Sequence, residues 1–188
     1  MRIGLFGGTF DPVHHGHLLL ARDCVEKIQL DRLVFIPNTI SPHKESLTSA
    51  PGPLRLEMLQ GAVAGEPHLE VDDLELRRGG PSYAIETVEE YERRFPEAEL
   101  FYLIGEDNIA KLPTWRRYAE LMQRVKFVAL SRRGEVGGHP FPLVQRDVEI
   151  SATEVRMRVA KGASVRYLVP KEVLEVIERE NLYKEKTY

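Results

Sequence analysis

The chain has 188 residues, of which 43% are hydrophobic and 29% are charged, as is usual for a globular protein of one domain. Its formal net charge of −3 argues against a general nucleic-acid-binding protein. The single cysteine, Cys24, excludes an internal disulfide, and the first apolar run is too short for a signal peptide or a membrane span. We therefore expect a cytoplasmic protein with neither a nucleic-acid nor a membrane partner.

Strands and helices are predicted to alternate along most of the chain. Apolar runs predict strands at residues 2–6, 32–37, 69–76, 99–105 and 125–131. Apolar residues at helical spacing predict helices at residues 15–29, 54–64, 118–124, 151–160 and 170–180. Ser82 is predicted to cap a further helix over residues 83–95, and loops are expected at 38–53 and 132–142. This order predicts one α/β domain, residues 1–188, with a doubly wound parallel sheet and helices on both faces.

Three motif-rich segments follow predicted strands. They cover residues 7–17, residues 105–107 and the stretch from residue 131 onward. In a parallel sheet of this kind the ligand binds outside the carboxyl ends of the strands, so these segments should meet at one edge. We therefore expect the functional site at that edge.

The first segment, "GGTFDPVHHGH", has the composition of a phosphate-binding turn. Gly7 and Gly8 let the backbone turn sharply, and the N–H groups of the helix that begins near His14 favour an anion. His14 and His17 share one helix face, where two imidazoles could stabilise charge on a phosphoryl group. The same residues fit a glycine turn with capping histidines, or a metal pair, although no third ligand cluster is evident. Since the segment is neither a Walker loop nor a G-x-G-x-x-G fingerprint, we interpret it as another kind of nucleotide phosphate site.

This segment resembles the G-x-F-D-P-x-H-x-G-H signature of the nucleotidyltransferase superfamily. Four further segments resemble, in order, motifs of that family and of bacterial nicotinate-nucleotide adenylyltransferases: "NTISPHK", "GPSYAIETV", "LIGEDNIAKLPTWRRYAEL" and "ISATEVR". The resemblance extends through nearly the entire chain. The sequence departs from the family pattern at Ala84, Arg133 and Ala152, which replace a common threonine, proline and serine and could affect substrate preference.

The resemblance implies a Rossmann-like fold and a defined reaction. ATP and nicotinate mononucleotide would give nicotinate adenine dinucleotide (deamido-NAD) and pyrophosphate, by direct in-line attack without a covalent intermediate. Such a transfer depends on positioning and charge stabilisation, for which the resemblance designates His14 and His17 as catalytic residues. Mg²⁺ is expected to accompany ATP, held mainly by phosphate oxygens and water, with no dedicated protein metal site.

The resemblance also implies which residues contact ATP. They are Gly7, Gly8, Thr9, Phe10, His14, His17, Gly105, Asp107, Ser131, Arg132, Ser151, Thr153 and Arg156. On its own, Arg156 would be interpreted as a surface residue, Arg132 as solvated, and Asp107 as a helix N-cap. Ser151 and Glu154 form an S-x-x-E capping box, which would cap a helix as well as create an anion site.

The remaining motif residues are expected to bind nicotinate mononucleotide. Lys44 would contact its phosphate, although most lysines in polar loops are solvated. Tyr83 and Thr87 lie near a predicted helix start, where backbone N–H groups could receive the nicotinate carboxylate. Trp115 would stack on the pyridine ring, whereas the alternative is core packing.

Several other functions remain open at this stage. The segments "GPSY" and "LPTW" argue against a related adenylyltransferase that acts on phosphopantetheine. Nicotinamide mononucleotide is a harder alternative to separate, because it differs from the expected acceptor by one group. A catalytically silent nucleotide-binding regulator conflicts with the intact His14, His17 and Arg156. Aminoacyl-tRNA synthetases share the histidine signature, but this chain is short for an anticodon domain and net acidic. The sequence also leaves open a homo-oligomer.

Overall fold

A computed structural model describes residues 1–39, 50–132 and 138–184. In these segments a six-stranded sheet has the order β3-β2-β1-β4-β5-β6, and every neighbouring pair is parallel. The strands are β1 Arg2–Gly8, β2 Arg32–Pro37, β3 Leu69–Val71, β4 Glu99–Gly105, β5 Lys126–Ser131 and β6 Leu143–Gln145. The chain winds outward from β1 in both directions, which confirms the expected doubly wound sheet.

Helices cover both faces of this sheet. They are α1 His15–Ile28, α2 Gly52–Val63, α3 Leu74–Arg78, α4 Ala84–Arg94, α5 Tyr118–Arg124, α6 Ala152–Ala160 and α7 Lys171–Arg179, with a 3-10 helix at Glu106–Thr114. Alternate residues of a strand point to opposite faces, so two separate cores form. Leu33 and Phe35 of β2 pack with α1, α2, α6 and α7, whereas Val34 and Ile36 pack with α4 and α5.

Two predictions for the segment between β3 and α4 are wrong. The expected strand 69–76 ends at Val71, because the carboxylate of Asp72 accepts the backbone N–H of Leu74 (2.9 Å) and starts α3 instead. Ser82 does not cap α4, because Tyr83 is the N-cap residue. The hydroxyl of Ser82 instead accepts the backbone N–H of Thr39 (3.1 Å), so this serine ties the end of the β2 loop to the start of α4.

Besides α3, two short elements were not predicted. The 3-10 helix Glu106–Thr114 contains a proline and lacks a long apolar period. Strand β6 is only three residues long, and it forms by pairing with β5, where Leu143 lies opposite Ala129. A three-residue strand carries too little alternation to be recognised from its own sequence.

Candidate active site

A cleft of about 340 Å³ opens where the strand order changes direction, at the carboxyl ends of β1 and β4. This is the position at which doubly wound sheets bind ligands. Six residues that the sequence predicted to bind ligands line it: Gly7, Gly8, Thr9, Tyr83, Gly105 and Trp115. The cleft therefore joins four residues assigned to ATP with two assigned to the acceptor, whereas His14, His17 and Arg156 are not among its lining residues.

Gly7 and Gly8 are the last residues of β1 and not the sharp turn that the sequence predicted, and aromatic rings pack against both of them. A Cβ at Gly8 would lie 2.8 Å from the ring of Phe10, and one at Gly7 would lie 2.7 Å from the hydroxyl of Tyr102. Phe10 is itself in the left-handed region (φ 48°), and its buried ring meets Phe6 edge-on at 5.4 Å. Because the Phe10 side chain belongs to the core, any contact that Phe10 makes with ATP has to come from its backbone.

The two predicted catalytic histidines stack on each other at the start of α1. Their ring centroids lie 3.7 Å apart, and the backbone N–H of His14 donates to Nδ1 of His17 (3.3 Å). Gly16 allows this arrangement, since a Cβ there would lie 3.0 Å from the His14 ring and 3.3 Å from the carbonyl of Ile150. With Nδ1 acting as an acceptor, the neutral His17 ring carries its proton on Nε2, which is then a hydrogen-bond donor.

His14 is buried and neutral at physiological pH. Burial, and then the positive charges of Arg132 and His15, lower the pKa of its imidazole from 6.5 to about 3. Within the described residues, neither ring nitrogen of His14 has a hydrogen-bond partner. A buried imidazole without partners is costly, so a polar ligand that accepts its N–H would relieve that cost.

The lowered pKa predicts how stability depends on pH. His14 takes up a proton more readily in the unfolded chain, so the folded state loses stability as pH falls from about 6.5 toward about 3. From about pH 7 to about pH 5 the loss should approach 2 kcal/mol. We expect His14→Gln to remove this pH-dependent contribution. Between about pH 7 and about pH 5, the free energy of unfolding measured in urea should therefore fall by about 2 kcal/mol more for the wild type than for the variant. A difference that stays constant with pH would contradict the buried, neutral imidazole.

The residues predicted to hold the ATP phosphates from β5 and α6 approach the same turn. Arg156 donates through Nη1 to the carbonyl of Asp11 (2.7 Å) and through Nη2 to the hydroxyl of Thr153 (3.2 Å). Arg132, which is exposed, donates to the carbonyl of Ile150 (2.8 Å). The start of α6 therefore lies against the signature turn, although the two segments are far apart in sequence.

Ser151 and Ser131 differ in accessibility. The hydroxyl of Ser151 accepts the backbone N–H of Glu154 (3.1 Å), so Ser151 caps α6 as its capping-box pattern predicted. Ser131 is buried, and its carbonyl accepts the backbone N–H of Arg146 (3.1 Å). Ser151 is partly exposed at a helix start, whereas Ser131 lies beneath the surface at the end of β5.

At the end of β4, Gly105 permits a close turn into the 3-10 helix. A Cβ at Gly105 would lie 2.7 Å from Oδ1 of Asp107, which also accepts the side-chain amide of Asn108 (3.1 Å). The N-cap of this helix is Gly105, so Asp107 is in the first turn and not at the cap. Asn108 lines the cleft, whereas the exposed carboxylate of Asp107 is outside its lining.

Aromatic side chains form the opposite wall of the cleft. Trp115 meets the ring of Tyr102 edge-on, with centroids 5.8 Å apart, and it also lines the cleft. Trp115 therefore packs against the core and also faces the cleft, whereas the sequence presented core packing and ligand contact as alternatives. Tyr83 lies at the N-cap of α4, and the guanidinium of Arg116 sits over its ring at 4.7 Å.

Thr87 is buried behind the cleft wall, and Lys44 is in a segment outside the described residues. The side chain of Thr87 is buried and donates to the carboxylate of Glu75 (2.6 Å), and Thr87 is not among the residues that line the cleft. Glu75 does line it, so Thr87 supports a buried acid at the cleft wall. Lys44, predicted to contact phosphate, and Arg133 lie outside the described residues.

The sequence interpretation missed an arginine that holds the signature turn. Arg55 of α2 is buried and donates to three backbone carbonyls, those of Ala50 (3.0 Å), Thr9 (2.7 Å) and Asn38 (2.8 Å). It occupies the same face of α2 as the buried Met58. The sequence signal for this role was the core-facing position of Arg55 in its helix, because a buried guanidinium needs several hydrogen-bond acceptors.

Residues 1–39, 50–132 and 138–184 contain no group of three or more histidine, cysteine, aspartate or glutamate side chains that could hold a metal ion. Among the helices of the same segments, none combines the length and apolarity needed to cross a membrane.

The comparisons with known proteins agree with the fold and the motifs. Residues 5–158 match the cytidylyltransferase-like family. A probable nicotinate-nucleotide adenylyltransferase of Methylacidiphilum infernorum is 42% identical over 187 residues, covering 97% of this chain and 92% of that protein. The nicotinate-nucleotide adenylyltransferase of Bacillus subtilis is 38% identical over 185 residues, covering 97% and 98%.

Solved structures show the same architecture at lower sequence identity. The Plasmodium falciparum nicotinic acid mononucleotide adenylyltransferase complexed with NaAD superposes with a TM-score of 0.81 at 16% identity, covering 97% of both chains. A putative nicotinate-nucleotide adenylyltransferase from Vibrio parahaemolyticus gives a TM-score of 0.74 at 20% identity, covering 98% and 96%. Fold, motifs and full-length relatives together show that the chain belongs to the nicotinate-nucleotide adenylyltransferases of the cytidylyltransferase-like family.

Proposed function

We propose that this protein transfers the adenylyl group of ATP to nicotinate mononucleotide, giving nicotinate adenine dinucleotide and pyrophosphate in NAD biosynthesis. The observation that carries the proposal is the cleft that joins Gly7, Gly8 and Thr9, at the end of β1, to the aromatic wall at Tyr83 and Trp115. A transfer between two bound nucleotides needs both sites to open into one space.

At the ATP end, the chain supplies hydrogen-bond donors rather than a nucleophile. An acceptor phosphate oxygen attacks the α-phosphorus while the bond to the β-phosphate oxygen breaks and pyrophosphate leaves. His14 and His17, at the positive end of α1, donate to the oxygens on which negative charge increases. Arg156 and Arg132 hold the β- and γ-phosphates. Mg²⁺ bound together with ATP would neutralise part of the triphosphate charge, and within the described residues no group of three or more histidine, cysteine, aspartate or glutamate side chains would hold it.

At the acceptor end, Trp115 stacks on the pyridine ring and the start of α4 receives the nicotinate carboxylate. Tyr83 and Ala84 line the cleft at that helix start, where backbone N–H groups favour an anion. Arg116 also lines it, held by the carboxylate of Glu86 (2.8 Å), and adds positive charge beside the same position. Lys44 contacts the acceptor phosphate, and Thr87 acts by holding Glu75 in place.

Replacing Trp115 should weaken the acceptor site alone. Stacking of aromatic rings contributes on the order of 1 kcal/mol, so Trp115→Ala should lower affinity for nicotinate mononucleotide several-fold and leave ATP affinity nearly unchanged. Trp115→Phe, which keeps a ring, should restore part of the loss. Trp115 is the only tryptophan in the chain, so its fluorescence should respond to the acceptor more than to ATP. An equal loss of ATP affinity in a folded variant would contradict the stacking role.

The proposed function is tested by pyrophosphate release from ATP with one acceptor at a time. Nicotinate mononucleotide should give the fastest release, ahead of nicotinamide mononucleotide and phosphopantetheine, and the product should have the mass of nicotinate adenine dinucleotide. Release with phosphopantetheine alone would assign the chain to a different adenylyltransferase. Binding of ATP without release on any acceptor would favour a nucleotide-binding regulator.

A further inference from the structure

The carboxylate of Asp11 connects the signature turn to the last described segment of the chain. Asp11 is buried, and its Oδ1 accepts the hydroxyl of Tyr183 (2.6 Å) and the backbone N–H of Ala50 (3.0 Å). Its backbone carbonyl accepts Nη1 of Arg156 (2.7 Å). One residue of the turn thus links three distant parts of the chain.

Tyr183 reaches this position because the chain folds back after α7. The backbone N–H of Leu182 donates to the carbonyl of Ile177 (3.0 Å), and Tyr183 itself has a left-handed backbone (φ 62°). Burial, and then the negative charge of Asp11, raise the pKa of the Tyr183 hydroxyl, so it stays protonated and donates. A hydrogen bond from a neutral donor to a carboxylate is stronger than one between neutral groups.

We propose that Tyr183 is a positioning residue for the triphosphate end of the site. It restrains the carboxylate of Asp11, and Asp11 in turn presents the carbonyl that anchors the guanidinium of Arg156. Arg156 needs a fixed orientation to bind two phosphate oxygens at once. Loss of the hydroxyl releases Asp11 and, with it, the anchor of Arg156. The role of Arg156 toward phosphate rests on the proposed function.

The restraint acts on the ATP side of the proposed site only. Trp115 and Tyr83 belong to elements that pack in the other core, on the opposite face of the sheet from α2, α6 and α7. Removing the Tyr183 hydroxyl should therefore affect ATP and leave the acceptor nearly unaffected.

The test is ATP binding by calorimetry, with Mg²⁺ and without an acceptor. We expect Tyr183→Phe to raise the Kd for ATP about tenfold and to leave the Kd for nicotinate mononucleotide within about twofold. Tyr167→Phe is the matched control, because Tyr167 is 78% exposed, and it should bind both ligands as the wild type does. In an Asp11→Asn background, Tyr183→Phe should have a much smaller effect if the hydroxyl acts through Asp11.

Two outcomes would overturn the inference. Unchanged ATP affinity in folded Tyr183→Phe would show that the hydroxyl does not position the site. Equal weakening of both ligands, together with a lower melting temperature, would assign Tyr183 a general structural role. Failure of the proposed function would give a different result: the wild-type protein would bind ATP but would release no pyrophosphate with nicotinate mononucleotide.

Discussion

Replacing His17 with alanine should lower the turnover number by about 100-fold or more while the protein keeps its fold, since one preorganised donor to a developing charge contributes that much. The ring of His17 is held by the His14 ring at 3.7 Å and by Phe10 at 5.2 Å. Its Nδ1 is occupied by a backbone N–H, which directs the proton to Nε2. The donor is thus oriented before substrate binds.

The measurement is the turnover number at saturating ATP and acceptor, with circular dichroism to verify folding. His15→Ala is the matched control, because His15 is in the same helical turn and is not assigned a contact with either substrate, and it should keep near-normal turnover. A folded His17→Ala protein with wild-type turnover would remove His17 from the chemistry. A rise in the KM for ATP with unchanged turnover would place its role in ground-state binding.

Replacing Arg55 with methionine should destabilise the protein by about 3 kcal/mol. Three carbonyls lose their donor, and each buried carbonyl without a donor costs about 1–3 kcal/mol. The total stays near the low end of that range because water can reach some of the three carbonyls. The buried guanidinium supplies all three of its nitrogens to the carbonyls of Ala50, Thr9 and Asn38. Methionine retains the apolar stem and keeps the volume near that of the arginine side chain. The lost free energy should therefore come mainly from the hydrogen bonds.

Thermal unfolding provides the readout for Arg55→Met. In a domain of this size a loss of 1 kcal/mol lowers the melting temperature by about 2–4 °C, so a decrease of about 6–12 °C is expected. Arg22→Met is the control, because Arg22 is exposed and pairs with Glu26 and Glu66 at the surface, where ion pairs contribute about 0–1 kcal/mol. Equal melting temperatures for the two variants would contradict the role assigned to Arg55.

The fold and the location of the site could be predicted because they depend on local patterns. The buried strands β1, β2, β4 and β5 are continuous apolar runs, and the motifs that follow β1 and β4 meet because parallel strands share a carboxyl edge. Gly7, Tyr83 and Trp115 therefore line one cleft although they are distant in sequence. The roles of these residues toward ATP and the acceptor remain predictions.

Contacts that support the site could not be predicted, because they depend on tertiary structure. Nothing near Tyr183 in sequence indicates that its hydroxyl meets Asp11, and the core-facing position of Arg55 does not show which carbonyls it binds until its helix is packed. The role of Ser82 also depends on tertiary structure, although the sequence pattern around it is local. A serine before a helical pattern predicts a cap, but its hydroxyl binds Thr39 from another loop instead.

The stereochemical course at the α-phosphorus tests direct transfer in the shared cleft most directly. Reaction of nicotinate mononucleotide with ATP carrying sulfur at one defined α-phosphate position should invert the configuration at that phosphorus. Inversion is expected for a single in-line displacement, in which His14 and His17 only donate hydrogen bonds. Retention would require two displacements through a covalent adenylyl-enzyme, with a histidine as the evident nucleophile, and would contradict the mechanism.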